Sequence, residues 1–289
     1  EDPEIREKLT ELGAKVIGYA QNTKTAKDNF VCCELNSRME SVIADVRDYD
    51  ALFSVVNRTQ PEIVFHLAAQ PLVNEGYVNP RETYEINIMG TVNILEAIRR
   101  TQSVKTSIMI TSDKCYQNNE WEWGYRENDI LGGHDPYSSS KAADEIIIDA
   151  YRRSFFRRTD VRLASVRAGN VIGGGDWSRD RIIPDCMKNL WKKQPIEIRN
   201  PNSIRPWQYV LEPLSGYLLL ASSLKQQPDL FSSAWNFGPH QDSIVTVTDL
   251  VRKVLEYWGE AKYECVSERK ATNHHEAGLL RLDITKAST

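Results

Sequence analysis

The sequence predicts an α/β protein built on a doubly wound parallel sheet, and three observations support that fold class. Short apolar, β-branched segments alternate with amphipathic helical segments, an order typical of βαβ units. Small or polar residues follow the short segments, where strands of a parallel sheet end and ligands bind. The chain has 289 residues, 41% of them hydrophobic, which is enough for a large core.

The alternation assigns the elements in order along the chain. Apolar runs predict strands at residues 15–20, 41–45, 62–69, 105–111 and 161–166. Helices are predicted at residues 5–12, 50–56, 82–101 and 138–156, with Gly13 ending the first and residues 21–36 irregular. Two apolar faces on the helix at 82–101 predict burial on both sides.

The character of the chain changes after residue 166. A glycine-rich stretch over residues 169–176 fits either a flexible connector or a functional loop. Tryptophans then stand among short, turn-rich segments. We therefore predict a sheet domain over residues 1–168 and, over residues 169–289, mainly a smaller lobe that closes over the sheet edge, with some segments returning to the sheet.

Composition narrows the function classes. The net charge of −4 and a pI of about 5.8 argue against a nucleic-acid partner, and no apolar run approaches the roughly 20 residues of a membrane span. The five cysteines show no metal-ligand spacing, and the pair His274 and His275 with Glu276 lacks a further ligand, so no metal is predicted. The acidic start of the chain and these cysteines lead us to expect a reduced, cytoplasmic protein.

Candidate catalytic residues follow the strand at 105–111. Ser112, Asp113 and Lys114 come at its end, and Tyr137 and Lys141 lie one helical turn apart downstream. An ammonium beside a phenol favours the phenolate, so these residues suit proton transfer. A Tyr-x-x-x-Lys spacing also occurs by chance, and an adjacent Asp and Lys also form surface ion pairs, but the strand-end context favours a site. The residues at predicted strand ends are Asp45, Ala68, Ala69, Ser112, Asp113 and Arg167.

Motifs over nearly the whole chain resemble a known family. They lie at residues 44–48, 66–71, 87–91, 111–116, 123–127, 135–141, 167–177, 181–185 and 204–208. Together they resemble the extended short-chain dehydrogenases/reductases that act on nucleotide sugars, which have a Rossmann-like domain. The Ser-Asp-Lys triplet with Arg-Pro-Trp-Gln at 205–208 resembles the CDP-sugar branch of the dehydratases within that family.

The resemblance implies a reaction with NAD as cofactor and a CDP-sugar as substrate. Tyr137 would take the proton of the C4 hydroxyl, assisted by Lys141, with Ser112 bonded to the C4 oxygen. Asp113 would act as the acid toward the C6 hydroxyl and Lys114 as the base or relay at C5, so that water is lost and hydride returns to C6. The same resemblance implies deoxysugar synthesis, as for the O-antigen of lipopolysaccharide. It also implies a homodimer formed through the helices at 82–101 and 138–156.

Binding residues are also implied by the resemblance. Residues 1–168 would bind NAD and residues 169–289 mainly the substrate. The implied cofactor contacts are Asp45, Val46, Leu67, Ala68, Ala69, Gln70, Asn87, Thr91, Thr111, Tyr137, Lys141 and Arg167. The implied substrate contacts are Asn170, Arg181, Arg199, Arg205, Trp207 and Gln208, where guanidinium groups suit a diphosphate.

The sequence departs from the family in two places. It shows neither the first strand nor the G-x-x-G-x-x-G loop, so we expect the first domain to be N-terminally incomplete and, taken literally, to bind NAD weakly. No acid stands at the end of the strand at 15–20, and Lys24 and Lys27 leave NADP open. The alternatives are a 4-epimerase, a dehydratase for another nucleotide, and a non-catalytic nucleotide-sugar binding protein.

Overall fold

The protein is seen in a computed structural model, which describes residues 9, 11–23, 25–240, 245–259, 263–265 and 277–289. The strands are β1 Ile17–Ala20, β2 Glu40–Ile43, β3 Ile63–His66, β4 Thr106–Ile110, β5 Arg162–Ala168, β6 Val171–Ile172, β7 Ile196–Ile198, β8 Ile204–Arg205, β9 Gln208–Tyr209, β10 Ala234–Phe237, β11 Val245–Thr246 and β12 Tyr263–Cys265. The α-helices are α1 Asn29–Cys32, α2 Leu35–Arg38, α3 Tyr49–Thr59, α4 Val73–Val78, α5 Pro80–Tyr84, α6 Gly90–Arg99, α7 Pro136–Tyr151, α8 Ile182–Trp191, α9 Leu211–Gln226, α10 Pro228–Phe231, α11 Val247–Trp258 and α12 Thr285–Ser288. Two π-helical turns, Glu85–Met89 and Arg152–Phe156, and one 3₁₀ turn, Asp113–Cys115, complete the helical segments described.

A parallel sheet of four strands, in the order β10-β5-β4-β3, forms the centre. β1 and β2 pair in a separate parallel ribbon. The C-terminal half adds three small ribbons, in which β6 pairs with β9, β8 with β11, and β7 with β12. The C-terminal half therefore also supplies one strand of the central sheet, β10.

Helices cover both faces of the central sheet, which is why β4 is buried along nearly its whole length. Ile108 packs into one cluster with Leu220 and Leu224 of α9, whereas its neighbour Met109 packs into another with Leu95 and Ile98 of α6. Successive residues of a strand point to opposite faces, so β4 feeds both cores. The predicted α/β class with a doubly wound parallel sheet is confirmed.

The predicted elements occur in the predicted order with shifted bounds, but the strand predicted at 62–69 ends at His66, and α4 lies where no helix was predicted. The helix predicted at 82–101 is α5, a π-turn and α6, and the helix predicted at 138–156 ends α-helical at Tyr151 before a π-turn. The prediction of an irregular stretch over 21–36 is partly wrong, because α1 and the first two residues of α2 lie there. In the first predicted helix Leu9 and Glu11 are helical, and Gly13 has a φ of 81° that favours glycine. Most of that helix lies outside the described residues.

Within the described part of the chain, no helix has both the length and the apolar composition needed to cross a bilayer. The division of the chain at residue 168 stays a prediction.

Candidate active site

The chain that follows β4 places a hydroxyl, a carboxyl and an amine within one turn. Ser112 caps the 3₁₀ turn, where its Oγ accepts a hydrogen bond from the backbone N of Lys114 at 3.2 Å. The same Oγ donates to Oδ1 of Asp113 at 3.0 Å. Ser112 and Asp113 are buried, and Lys114 is partly exposed. The three residues predicted from the Ser-Asp-Lys triplet are thus gathered at the end of the central strand.

The Asp113 carboxyl is buried and only partly satisfied. Asp113 is 3% exposed, and its Oδ2 has no hydrogen-bond partner among the described residues. Burial raises the pKa of Asp113, against the lowering effect of the Lys114 and Arg205 charges. The next loop comes close, since a Cβ on Gly169 would lie 3.2 Å from Oδ2 and 2.5 Å from the Pro206 ring. A carboxyl that favours its protonated form is suited to donate a proton.

Tyr137 and Lys141 lie one turn apart at the start of α7, both buried. The helix begins there because Asp135 caps it, its Oδ1 accepting from the backbone N of Ser138 at 2.9 Å. The Lys141 charge acts directly on the Tyr137 phenol, so the prediction that the two residues share a face is confirmed.

Burial raises the pKa of Tyr137, while Lys141 and then the Ser112 hydroxyl lower it. The predicted effect of Lys141 therefore has the right sign, but it does not overcome burial in the protein alone. The charge of Arg181 from the C-terminal lobe adds a smaller lowering. The phenol, the ammonium and the Ser112 hydroxyl form one interacting group.

Lys141 is itself half of a buried ion pair. Its Nζ lies 3.1 Å from Oδ2 of Asp144, with side chains 4% and 1% exposed. His66, the last residue of β3, lies nearby, and burial followed by the Lys141 charge lowers its pKa to about 3. The His66 ring is thus neutral, and its Nε2 is 3.4 Å from Oγ1 of Thr91.

Asn87 joins the loop after β3 to the catalytic helix. Its Oδ1 accepts from the backbone N of Gln70 at 2.8 Å, and its Nδ2 donates to the Gln70 carbonyl at 3.2 Å and to Oγ of Ser140 at 2.8 Å. Asn87 is fully buried in a π-turn, a distortion that is frequent at functional sites. The loop residues Leu67, Ala68 and Ala69 stay partly exposed. Asn87 thus fixes the Gln70 backbone at the end of this loop, where Ala68 and Ala69 are partly exposed.

A second buried network lies beneath Thr111. Glu145 accepts hydrogen bonds from Oγ1 of Thr111, from Oγ of Ser165 at 2.8 Å, and from Nη2 of Arg167 at 2.8 Å. Arg167 also donates to the Tyr116 hydroxyl at 2.8 Å. Arg167, predicted as a cofactor contact, lies within β5 with its guanidinium bonded to these partners.

The predicted adenine end, after β2, is more open. Asp45 forms an ion pair with Arg47 at 2.6 Å and accepts from Nε2 of Gln21 at 2.9 Å. Hydrogen bonding to Arg47, opposed by burial, lowers the pKa of Asp45 to about 2. Val46 is buried against Gly90, where a Cβ would lie 2.8 Å from a Val46 methyl group. Glycine at the start of α6 is therefore needed for this loop to pack.

The predicted substrate residues fall into three groups. Arg181 is paired with Asp176 at 3.1 Å and its charge reaches Tyr137, and the buried Arg205 acts on Asp113. Arg199 pairs instead with Asp180 at 3.1 Å, and no described interaction joins it to the catalytic group.

Asn170, Trp207 and Gln208 lie along the ribbon of β6 and β9. The Asn170 carbonyl accepts from the backbone N of Gln208 at 2.9 Å, and the backbone N of Trp207 donates to the Arg205 carbonyl at 3.0 Å. The buried Gln208 side chain donates to the Phe237 carbonyl at 3.1 Å, which ties this ribbon to β10. Of these, Gln208 is engaged within the fold and Asn170 is exposed.

Sequence reasoning missed several residues that shape the site. Asp144 and Glu145 stood in the predicted helix without an assigned role, and Asn93 holds the loop after β2 by donating to the carbonyl of Val46 at 2.9 Å. The one sequence signal was an acid about one helical turn after Lys141, a spacing at which side chains of a helix interact. The described residues contain no cluster of three metal-ligating side chains, and His274 to Glu276 lie outside them.

Comparison with known proteins decides the family. The model of the family described as GDP-mannose 4,6 dehydratase matches residues 5–285. The chain belongs to this family. The family predicted from the motifs, nucleotide-sugar enzymes of the extended short-chain dehydrogenase/reductase type, is confirmed.

Relatives within the GDP-mannose 4,6 dehydratase family add detail. The CDP-glucose 4,6-dehydratase of Salmonella typhimurium is 50% identical over 97% of this chain and 79% of its own length. The CDP-paratose 2-epimerase of Salmonella typhi is 33% identical over 81% of this chain and 74% of its own length. The solved UDP-glucose 4-epimerase of Thermus thermophilus, in complex with NAD, has a TM-score of 0.82 at 22% identity, covering 98% of this chain and 87% of that one. The epimerase structure shares the fold.

Proposed function

We propose that this protein is an NAD-dependent lyase that converts CDP-D-glucose to CDP-4-keto-6-deoxy-D-glucose. The observation that carries the proposal is the buried Asp113 carboxyl, which has an unpartnered oxygen and lies in the same group as Ser112, Tyr137 and Lys141. A dehydration needs such an acid beside a base that serves alcohol oxidation. The 50% identity to the CDP-glucose 4,6-dehydratase over most of both chains supports the same reaction.

The residues present fit the nicotinamide half of the cofactor. The loop at 67–70 contains the small residues Ala68 and Ala69 and is fixed by Asn87, and the Lys141 ammonium beside Tyr137 can bind ribose hydroxyls. NAD bound there would supply the reversible hydride acceptor that oxidation at C4 and reduction at C6 require. Val46 and Asp45 would hold the adenosine end, with Thr91 and Thr111 behind the site.

The surroundings of each proposed catalytic side chain suit it to one step of the reaction. Tyr137 takes the proton of the C4 hydroxyl, helped by the Lys141 charge, and Ser112 donates a hydrogen bond to the C4 oxygen. The 4-ketone acidifies the C5 proton, which Lys114, in its neutral amine form, removes as base or passes on as relay. Asp113, whose pKa burial raises, gives its proton to the departing C6 hydroxyl.

The nucleotide would bind in the C-terminal lobe. Arg181 and Arg205 carry positive charge toward Tyr137 and Asp113, so a sugar between them would place its diphosphate near these guanidinium groups. Arg199, Asn170, Trp207 and Gln208 would bound the rest of the substrate. Cytosine as the base is supported by the two relatives whose names specify CDP-sugars.

A homodimer in a reducing cytoplasm is part of the proposal. Four large side chains on the two helical segments 80–99 and 136–156 are well exposed: Tyr84 at 37%, Met89 at 49%, Ile146 at 59% and Phe155 at 46%. Such a patch suits pairing with the same helices of a second copy. Among the described residues, Cys32, Cys115 and Cys186 form no disulfide, as a reducing compartment favours. Sedimentation at the monomer mass alone would remove the dimer from the proposal.

The test of function is an assay for a 4-keto sugar. The protein is incubated with NAD+ and CDP-glucose, and the absorbance that 4-keto sugars develop in alkali is measured, with UDP-glucose and dTDP-glucose in parallel. We expect a signal with CDP-glucose that exceeds the other two. A signal confined to UDP- or dTDP-glucose indicates another dehydratase, galactose-type products without a keto sugar indicate an epimerase, and binding without turnover indicates a binding protein.

We further propose that the product enters deoxysugar synthesis for the O-antigen of lipopolysaccharide. The support is the chemistry of the product, since a 4-keto-6-deoxy sugar is a precursor that a later reductase or aminotransferase can complete. Deleting the gene in its host should remove the 6-deoxy sugar from surface polysaccharide, and an unchanged sugar composition would contradict this placement.

A further inference from the structure

Lys141 is held by an acid that the proposed mechanism does not use. Asp144 lies three residues further along α7, with Oδ2 at 3.1 Å from the Lys141 Nζ. Its side chain is 1% exposed, and its Oδ1 has no hydrogen-bond partner among the residues described. A buried carboxylate oxygen without a hydrogen bond is unfavourable. The Lys141–Asp144 ion pair forms nevertheless, because the fold places both groups on one buried face.

Among the groups around this pair, Asp144 is the carboxylate that pairs directly with the Lys141 ammonium. Glu145 follows on the same helix, but its carboxylate is bonded to Arg167, Thr111 and Ser165. From β3, His66 is neutral, because burial and the Lys141 charge lower its pKa to about 3. From α6, Thr91 lies beside the Asp144 carboxylate and contributes no charge.

The other charged neighbours face the phenol. Tyr137 lies one turn earlier on α7, and the charges of Asp113 and Arg181 reach it from the turn after β4 and from the start of α8. The Asp113 charge raises the pKa of the Tyr137 phenol, and the Arg181 charge lowers it. The charge of the ammonium is therefore balanced chiefly by Asp144.

We propose that Asp144 is a positioning residue that keeps the Lys141 ammonium charged and fixed beside Tyr137. This inference rests on the proposed function, because it concerns the same phenol and ammonium. Asp144 does not touch the sugar or the cofactor; it acts through Lys141.

The electrostatic balance gives the direction of the effect. Burial lowers the pKa of Lys141, but the Asp144 carboxylate and then Tyr137 offset burial, so that the pKa is raised overall. Burial raises the pKa of Asp144 to about 6, against the Lys141 charge, so the carboxylate is present above about pH 6. Without that carboxylate burial dominates, and Lys141 loses its proton at a lower pH.

The test compares pH profiles of kcat/KM for wild type, Asp144→Asn and Asp144→Glu. In Asp144→Asn we expect the basic limb to move to lower pH by at least about one unit, which is about tenfold in the protonation equilibrium of Lys141. Asp144→Glu, which keeps the charge, should restore much of the wild-type profile. Asp149→Asn removes a partly exposed acid of the same helix that pairs with Arg153, and should leave the limb in place.

A second readout separates this inference from the proposed function. The dissociation constant for NAD+ is measured without sugar between about pH 6 and 10, and in Asp144→Asn it should rise at lower pH than in wild type, because the ammonium that holds the ribose is lost earlier. Unshifted activity and binding profiles in Asp144→Asn would overturn the inference even if wild type dehydrates CDP-glucose. Shifted NAD+ binding without turnover of CDP-glucose would fault only the proposed function. Should circular dichroism show that Asp144→Asn does not fold, Asp144→Ser removes the same charge and is judged by the same two outcomes.

Discussion

The two ends of the candidate site are built from different interactions. At the catalytic end, Tyr137, Lys141 and Asp113 are each less than a tenth exposed. At the predicted adenine end, Asp45 and Arg47 have side chains 28% and 35% exposed. The first end is held by buried networks that cross from strand to helix, and the second by an ion pair between residues two apart.

This contrast determines how each end sets its charges. Burial is the largest influence on the pKa of Tyr137 and Asp113 and raises both, so burial at this end favours the protonated forms. A hydrogen bond from Arg47 is the largest influence on Asp45 and lowers its pKa to about 2. The catalytic end therefore depends on added positive charge to ionise its phenol, whereas Asp45 is an anion before any ligand binds.

Removing the phenol tests the catalytic end most directly. Tyr137→Phe deletes the proposed proton acceptor for the C4 hydroxyl and should lower kcat with CDP-glucose by about 10²- to 10⁴-fold, the usual contribution of a general base. Substrate binding, measured by calorimetry, should change little, because the ring and its packing remain. The matched control is Tyr257→Phe on α11, a ring that is 90% exposed. Equal turnover by Tyr137→Phe and wild type would contradict the role of Tyr137.

The sequence predicted the catalytic end because local spacing encodes it. Ser112, Asp113 and Lys114 follow one apolar strand, and Tyr137 and Lys141 are one turn apart on one helix. The helical period and the positions of the predicted strand ends were enough to predict that these five residues lie together. The doubly wound sheet was predictable for the same reason, since its strands are short, largely buried runs that alternate with helices.

The networks that set the charges could not be predicted in this way. Glu145 reaches Thr111 and Arg167, which are 34 and 22 residues away, and Tyr116 donates to Asn236 at a separation of 120 residues. No periodicity marks such pairs, because their partners meet only after the sheet has formed. The π-turn that carries Asn87 was also missed, since its sequence reads as regular helix.

Breaking a buried ion pair at the catalytic end should cost stability. Glu145→Gln leaves the Arg167 guanidinium, 4% exposed, without its counter-ion, and should lower the free energy of unfolding by about 3–5 kcal/mol. Arg47→Met, which breaks the ion pair of the open end, should cost only about 0–1 kcal/mol. Both are measured by urea unfolding at pH 7. The contrast between the two ends would be wrong if both substitutions had the same small effect.

The open end should show a weak dependence of stability on pH. Asp45 has a pKa lowered to about 2 from an ordinary value near 3.9, mainly by hydrogen bonding to Arg47, so its charge stabilises the fold above the ordinary value. That contribution is lost as the pH falls from about 4 through about 2. Because both side chains are roughly a third exposed, solvent and salt keep it below about 1 kcal/mol. Asp45→Asn should therefore be slightly less stable than wild type at pH 7, and the difference in urea midpoint should shrink toward zero as the pH approaches 3 and 2. A difference that grows on acidification would mean that Asp45 is strained in its charged form, and that the open end, like the catalytic end, is governed by burial.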